Sequence, residues 1–177
     1  MIIDSKKAEE QAILSLAYGI CAVMRTAPKA RGIDHLETAI ITGEDKEKLA
    51  DEMRRIGNSF GETGNTFIRD AGNVDASGAV VLVGAKLKTR GLDVRCGMCG
   101  FKGCAACFEA GATCVFAPLD LGVALGSAVA FIADNRVDSR IMYSIGKAAA
   151  SLGFLGEYKF VMGIPLSVSG KSPFFDR

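Results

Sequence analysis

Five of the six cysteines of this 177-residue chain fall within RCGMCGFKGCAACFEAGATC, residues 95–114. Cys96 and Cys99 form a C-x2-C pair, four residues separate Cys99 from Cys104, and Cys107 and Cys114 follow after two and nine intervening residues. Four thiolates can therefore converge in two ways, with either Cys107 or Cys114 in the fourth place beside Cys96, Cys99 and Cys104. An iron–sulfur cube needs four thiolates on four differently placed irons, and a tight C-x2-C turn with looser returns supplies them from one loop. Zinc also accepts four sulfurs, but its structural sites usually set two C-x2-C knuckles about 15–20 residues apart, and four residues is a cramped separation. The plainest alternative is a loop of metal-free thiols with a structural or sensing role.

The residues between the cysteines favour a metal cluster. Gly97, Gly100 and Gly103 each neighbour a cysteine, and without Cβ atoms they let the backbone curl round an inorganic core with N–H groups aimed at sulfur. From residue 86 to 102 stand five basic side chains, Lys86, Lys88, Arg90, Arg95 and Lys102, against the single acid Asp93. Such a field offsets the negative charge of a thiolate-bound cube, or offers a docking face to an acidic redox partner protein. Cys21 lies in an apolar helical pattern and reads as a small buried hydrophobe. His35, the only histidine, reads as a surface or capping residue. No catalytic residue can be named from the pattern.

These groups must be held by a core, and the periodicity outlines one. Asp4 or Ser5 caps a helix carrying Ile13, Leu16, Ile20 and Val23 on one face, and Pro28 limits it. Residues 38–42, TAIIT, read as a buried strand. A helix follows over 43–57, with Glu44 and Asp45 in its first turn and Leu49, Met53 and Ile56 as its stripe. After a glycine- and asparagine-rich connection, GAVVLVGA, residues 78–85, is apolar throughout, as a central strand covered on both faces would be. The cysteine segment leads into an apolar helix over roughly 118–134, where Asp120 reads as an N-terminal cap or first-turn acid. The stripe Gly122, Gly126 and Ala130 would let another backbone approach, across a dimer for example. A second helix lies in VDSRIMYSIGKAAASLG, residues 137–153, on Ile141, Ile145 and Ala148 or Ala149, and Gly153 stops it. YKFVMGIPLSVSG reads as a last strand interrupted at Pro165, which suits an edge or a strand end.

A chain of this length, 49% hydrophobic, has material for one packed core. The expectation is a single domain over 1–177, with 95–114 set into it. Lys+Arg 21 against Asp+Glu 20 leaves a net charge of +1, without the basic excess that nucleic acid would require. Asp4, Glu9 and Glu10 contradict a signal peptide, the apolar run at 121–133 is too short to span a bilayer, and clustered thiols suit a reducing compartment, so a cytoplasmic protein without a membrane partner is expected.

RTAPKARGIDHLETAIITGED, the cysteine segment, CVFAPLDLGVALGSAV, VDSRIMYSIGKAA and GIPLSVSGKSPFFDR together closely resemble an uncharacterised prokaryotic family of ferredoxin domain-containing proteins. The resemblance covers nearly the whole chain. The family's cysteine pattern is similar to the small four-iron four-sulfur domain of corrinoid iron–sulfur proteins, and carried over it lands on Cys96, Cys99, Cys104 and Cys114, with a shorter spacing before Cys114; Cys107 is the alternative fourth ligand. The body looks like the nitroreductase fold, which implies an α+β domain with a mostly antiparallel sheet flanked by helices on both faces. It also implies a homodimer and FMN at the dimer interface. RTAPKARG would then lie on the flavin side, with Arg25, Lys29 and Arg31 as phosphate contacts, although the opening MIIDSKKAEEQ lacks the arginine- and serine-rich strip usual in nitroreductases. Two roles are compatible with this resemblance: a 4Fe-4S electron carrier or redox accessory, and an oxidoreductase in which the cluster feeds a flavin.

Overall fold

The computed structural model describes residues 1–175. Four strands, β1 (Leu36–Ile41), β2 (Ala79–Ala85), β3 (Asp138–Ser139) and β4 (Phe160–Ser167), form one antiparallel sheet in the order β1-β2-β4-β3. β2 lies between β1 and β4 and is buried along its whole length, as its unbroken apolar run requires. Strand side chains alternate, so Ala79, Val81, Val83 and Ala85 enter one core while Val80 and Leu82 enter the other. The first core is closed by α1 (Ser5–Thr26) and α5 (Phe116–Asp134), the second by α2 (Gly43–Ser59), α3 (Asn65–Asp75) and α6 (Tyr143–Leu152). The result is the expected antiparallel sheet with helices on both faces.

α1 begins where its cap predicts: the Asp4 carboxylate accepts the Lys7 N–H at 2.9 Å, and Ile13, Leu16, Ile20 and Met24 are buried. β1 starts two residues before the expected 38–42, and α5 two before 118. α3 corrects the reading of residues 58–77 as a connection. Phe67, Ala71 and Val74 bury one face of it, a stripe hidden in the sequence among glycines and asparagines. A further correction concerns 137–153, where the helix begins only at Tyr143 because Asp138–Ser139 pair with β4 and Met142 bridges Gly163.

Pro165 does not interrupt β4 or mark an edge; β4 runs past it, opposite Val80 of β2. Gly163 exchanges both backbone hydrogen bonds with Met142, so residues of that parity face the β3 side. The missing N–H of Pro165 therefore falls on that side, opposite Arg140, where β3 has already stopped, and no β2 bond is lost. α6 presses directly on β4: a Cβ on Gly146 would lie 1.7 Å from the Val161 carbonyl oxygen. α5 is long and apolar enough to cross a membrane by length and composition, but here Leu121, Ala124, Leu125, Ala128 and Ile132 are buried in the first core. Its Gly122–Gly126–Ala130 stripe faces outward, exposed beside Leu119 and Val123.

Candidate metal centre

Residues 86–115 connect the end of β2 to the start of α5 and carry the cysteines. The segment turns on Gly91, Gly97 and Gly100, whose φ angles of +66°, +61° and +82° only glycine adopts without cost. Gly103 is extended instead, and what keeps it a glycine is space: a Cβ there would meet Asp93 Oδ1 at 2.5 Å. After Gly103 the chain forms a short helix, α4 (Cys104–Glu109), which places Cys104 and Cys107 one turn apart. Read as loop throughout from its composition, the segment thus contains one helical turn and a half.

All five cysteines, Cys96, Cys99, Cys104, Cys107 and Cys114, line one hollow, walled also by Arg90, Phe101 and Phe116. Cys107 and Cys114 are buried, the other three half-buried, and all are free thiols. Burial pushes the Cys107 thiol up, helped by its contact with Cys99 and by Cys114 and Cys104 nearby. Its Sγ lies 3.6 Å from the Ala112 carbonyl oxygen. Among the described residues no group of three or more His, Cys, Asp or Glu side chains is arranged to hold one metal ion. The five thiols nonetheless converge on one shared space.

Asp93, counted in the sequence only as the lone acid of a basic stretch, organises this loop. Its carboxylate accepts the Cys104 N–H at 3.0 Å, and its own N–H points to Cys104 Sγ at 3.3 Å. It holds a φ of +54°, and Arg31 one of +59°; such strain in residues bordering a site is retained where the surroundings impose it.

Of the five basic residues expected around the cysteines, only Arg90 reaches the hollow. Lys86 pairs with Glu157 and lies over the Tyr158 ring, and Lys88, Arg95 and Lys102 are exposed. Arg90 is 1% exposed. Its Nε donates to Asp120 Oδ2 at 2.9 Å, and its Nη1 donates to the Lys88 carbonyl at 2.6 Å and lies 2.9 Å from His35 Nδ1. Asp120 is thus neither a cap nor a first-turn acid: it is buried beyond the first turn of α5, and its Oδ1 accepts the Ala30 N–H at 2.9 Å. His35 is half-buried rather than at the surface, and burial followed by the charge of Arg90 lowers its pKa below the ordinary value. Sequence reasoning missed this cluster. The available signal was an aspartate inside an apolar helix whose only other charge, Asp134, stands at its end.

The residues proposed for a flavin phosphate occupy the last turn of α1, Arg25, and the loop beside this cluster, Lys29 and Arg31, each engaged with the protein. Arg25 donates to Asp34 at 2.6 Å and to the Leu36 carbonyl at 3.1 Å. Lys29 is folded back to bond the carbonyls of Met24, Arg25 and Ala27 at the end of α1. Arg31 Nη1 donates to the carbonyls of Arg90 and Gly91 at 3.0 and 2.9 Å. Loop 27–35 is therefore tied to the wall of the cysteine hollow from two sides, through Arg31 and through Asp120.

Comparison with known proteins agrees with this arrangement. An uncharacterized protein of Archaeoglobus fulgidus is 40% identical over 185 residues, covering 100% of this chain and 98% of its own length. A nitroreductase of Desulfitobacterium hafniense with bound FMN superposes with a TM-score of 0.57 at 14% identity, over 92% of this chain and 82% of its own. An FMN and NADPH-dependent nitroreductase of a Sphingopyxis strain does so with a TM-score of 0.59 at 10% identity, over 98% of this chain and 83% of its own. At such identities the likeness is one of fold, and the fold is nitroreductase-like. A family model described as "uncharacterized protein containing a ferredoxin domain (DUF2148)" matches residues 110–177, from the turn before Cys114 to the end of the sequence. The ferredoxin label points to an iron–sulfur redox role, which the cysteine-lined hollow suits; with this match and a relative 40% identical over the whole chain, the chain belongs to the family of uncharacterized proteins containing a ferredoxin domain.

Proposed function

We propose that the hollow holds a four-iron four-sulfur cluster on Cys96, Cys99, Cys104 and Cys114, with Cys107 as the competing fourth ligand, and that the protein is an electron carrier or redox accessory. The observation that carries this reading is the convergence of five thiols on one space at the end of the central strand. A cube takes each thiolate on a separate iron, which suits sulfurs gathered round a space better than one zinc ion does. Bound there, the cluster would supply one-electron transfer. The chain's own residues hold the thiols and exclude water: Asp93 fixes Cys104 through two hydrogen bonds between backbone N–H groups and side chains, Phe101 and Phe116 wall the hollow, and Arg90 places a buried positive charge against it. Residues 95–114 act as a metal-bearing insertion within a single domain.

A second reading adds FMN, supported by the FMN-binding nitroreductases that share the fold. Loop 27–35, with Lys29 and Arg31, and Arg25 at the end of α1 make up the segment that would face the flavin, and the loop's ties to Arg90 and Asp120 set it beside the cluster. The exposed apolar stripe of α5 supports a homodimer. An acidic redox partner would meet the exposed Lys88, Arg95 and Lys102, and the reading places the protein in the cytoplasm.

Anaerobic purification followed by iron, sulfide, zinc and flavin analysis tests these readings. Brown protein with equimolar iron and sulfide and no flavin supports the carrier, and both cofactors together support the flavin enzyme. Colourless protein with stoichiometric zinc sinks both redox readings and leaves a zinc-bound structural or sensor protein.

A further inference from the structure

Among the described residues Arg90 Nη2 is one of two buried side-chain nitrogen or oxygen atoms without a hydrogen-bond partner. A guanidinium offers five N–H donors in a rigid fork, and leaving one nitrogen unmatched in a buried site costs free energy unless something absent from the chain accepts from it. The rest of the side chain is fully occupied. Nε is held by Asp120, Nη1 by the Lys88 carbonyl and His35 Nδ1, and the residue lines the cysteine hollow. Its one partner of opposite charge, Asp120, is itself 4% exposed and shared with the Ala30 N–H. A buried cation fixed on two sides, with its remaining nitrogen unbonded, in a residue that lines a space ringed by thiols, is arranged for an anionic acceptor.

We propose that Arg90 is a positioning and potential-setting residue for the bound cluster: its Nη2 donates to a thiolate or sulfide at the cluster's edge, and Asp120 holds it in that orientation. The inference rests on the iron–sulfur reading above. Two consequences follow from charge alone. A positive charge fixed beside the cluster favours the reduced, more negative state, so it raises the reduction potential. Asp120 partly offsets it, so neutralising Asp120 raises the potential further. The same residue joins the cluster wall to loop 27–35, because Asp120 Oδ1 holds Ala30 and the Arg90 carbonyl accepts from Arg31.

The experiment is anaerobic spectroelectrochemical titration of the reconstituted protein and three variants. Arg90→Gln should shift the cluster's potential downward, Arg90→Lys should shift it less, and Asp120→Asn should shift it upward. A role limited to holding the fold would lower melting temperature and cluster occupancy while leaving the potential of the clusters that form unmoved, and that result overturns the proposal. Should Arg90→Gln fail to fold, Asp120→Asn decides, since the proposed role requires an upward shift in potential and a purely structural role gives none. A measurement on the parent protein stands beside these: with 15N-guanidino-arginine, the reduced cluster should show a nitrogen hyperfine coupling that Arg90→Lys removes. Its absence in the parent overturns the hydrogen bond. If wild-type protein takes up no iron and sulfide, it is the cluster reading that has failed; a cluster whose potential ignores all three substitutions refutes Arg90's role alone.

Discussion

Asp120→Asn is the sharpest perturbation of the buried network, because it changes charge with almost no change in shape. In the native protein Asp120 Oδ2 accepts from Arg90 Nε and Oδ1 accepts from the Ala30 N–H, both at 2.9 Å, with the two ionic side chains 1% and 5% exposed. An asparagine has one acceptor oxygen. Whichever donor it serves, its NH2 group faces the other, and the guanidinium is left as a buried charge without a counter-ion. Removing one member of a buried pair typically costs about 3–5 kcal/mol, against about 0–1 kcal/mol for an exposed pair. For a chain of this size that corresponds to a melting temperature lower by roughly 6–20 °C. The assay is urea and thermal unfolding of the metal-free protein under reducing conditions, followed by far-UV circular dichroism. The double variant Arg90→Met/Asp120→Asn should recover at least half the loss, since no charge then stays buried and the donor-to-donor clash is gone. A single-variant cost below about 1 kcal/mol, or a double variant as unstable as the sum of the singles, would mean that water screens the pair and that the reasoning is wrong.

Cys114→Ser should abolish the cluster's visible absorbance after anaerobic reconstitution while Cys107→Ser retains it; the reverse pattern would move the fourth ligand to Cys107. His35 has a folded pKa below its ordinary value through burial and the charges of Arg90, Lys88 and Lys86, so the unfolded chain binds its proton first. Stability should fall as pH drops below about 6.5 and level off beneath the folded pKa; His35→Gln should flatten that slope between pH 7 and 5.5, and an unchanged slope in chemical unfolding refutes the assignment. Gly146→Ala sets a Cβ 1.7 Å from the Val161 carbonyl oxygen, a backbone atom that cannot swing aside, so α6 must lift from β4. A loss beyond about 3 kcal/mol is expected in urea unfolding, and a loss under about 1 kcal/mol would contradict that packing. Gly126→Glu meets no atom within 4 Å and should leave thermal stability near the parent's, yet convert a dimer to a monomer in sedimentation if the outer face of α5 joins two copies; a dimer unaffected by it places the contact elsewhere.

Much of the fold could be read from the chain because it rests on local periodicity. The unbroken apolar run of β2 implied cover on both faces, and the stripes of α1 and α2, with the cap of α1 and the first-turn acids of α2, marked helices within a residue or two. α3 was missed because glycine and asparagine obscured a stripe of only three apolar positions, Phe67, Ala71 and Val74. β3 was missed because two residues carry no period. Pro165 was misread because the sequence shows a missing donor without showing which neighbour would have used it; only the pairing of Gly163 with Met142 sets that parity.

The cysteine segment divides in the same way. Its residue types and spacing alone determined that thiols gather in one loop, that Gly97 and Gly100 turn the backbone, and that two cysteines compete for a fourth place, since each of these depends on neighbours a few bonds apart. Only the tertiary structure decided which of five nearby cations reaches the thiols. Arg90 and Asp120 stand thirty positions apart, and Asp120 and Ala30 ninety, so no local pattern links them. They meet because β2 delivers Arg90 to the head of α5, because that helix must bury the face carrying Asp120 against the first core, and because a charge taken into that core persists only with a partner.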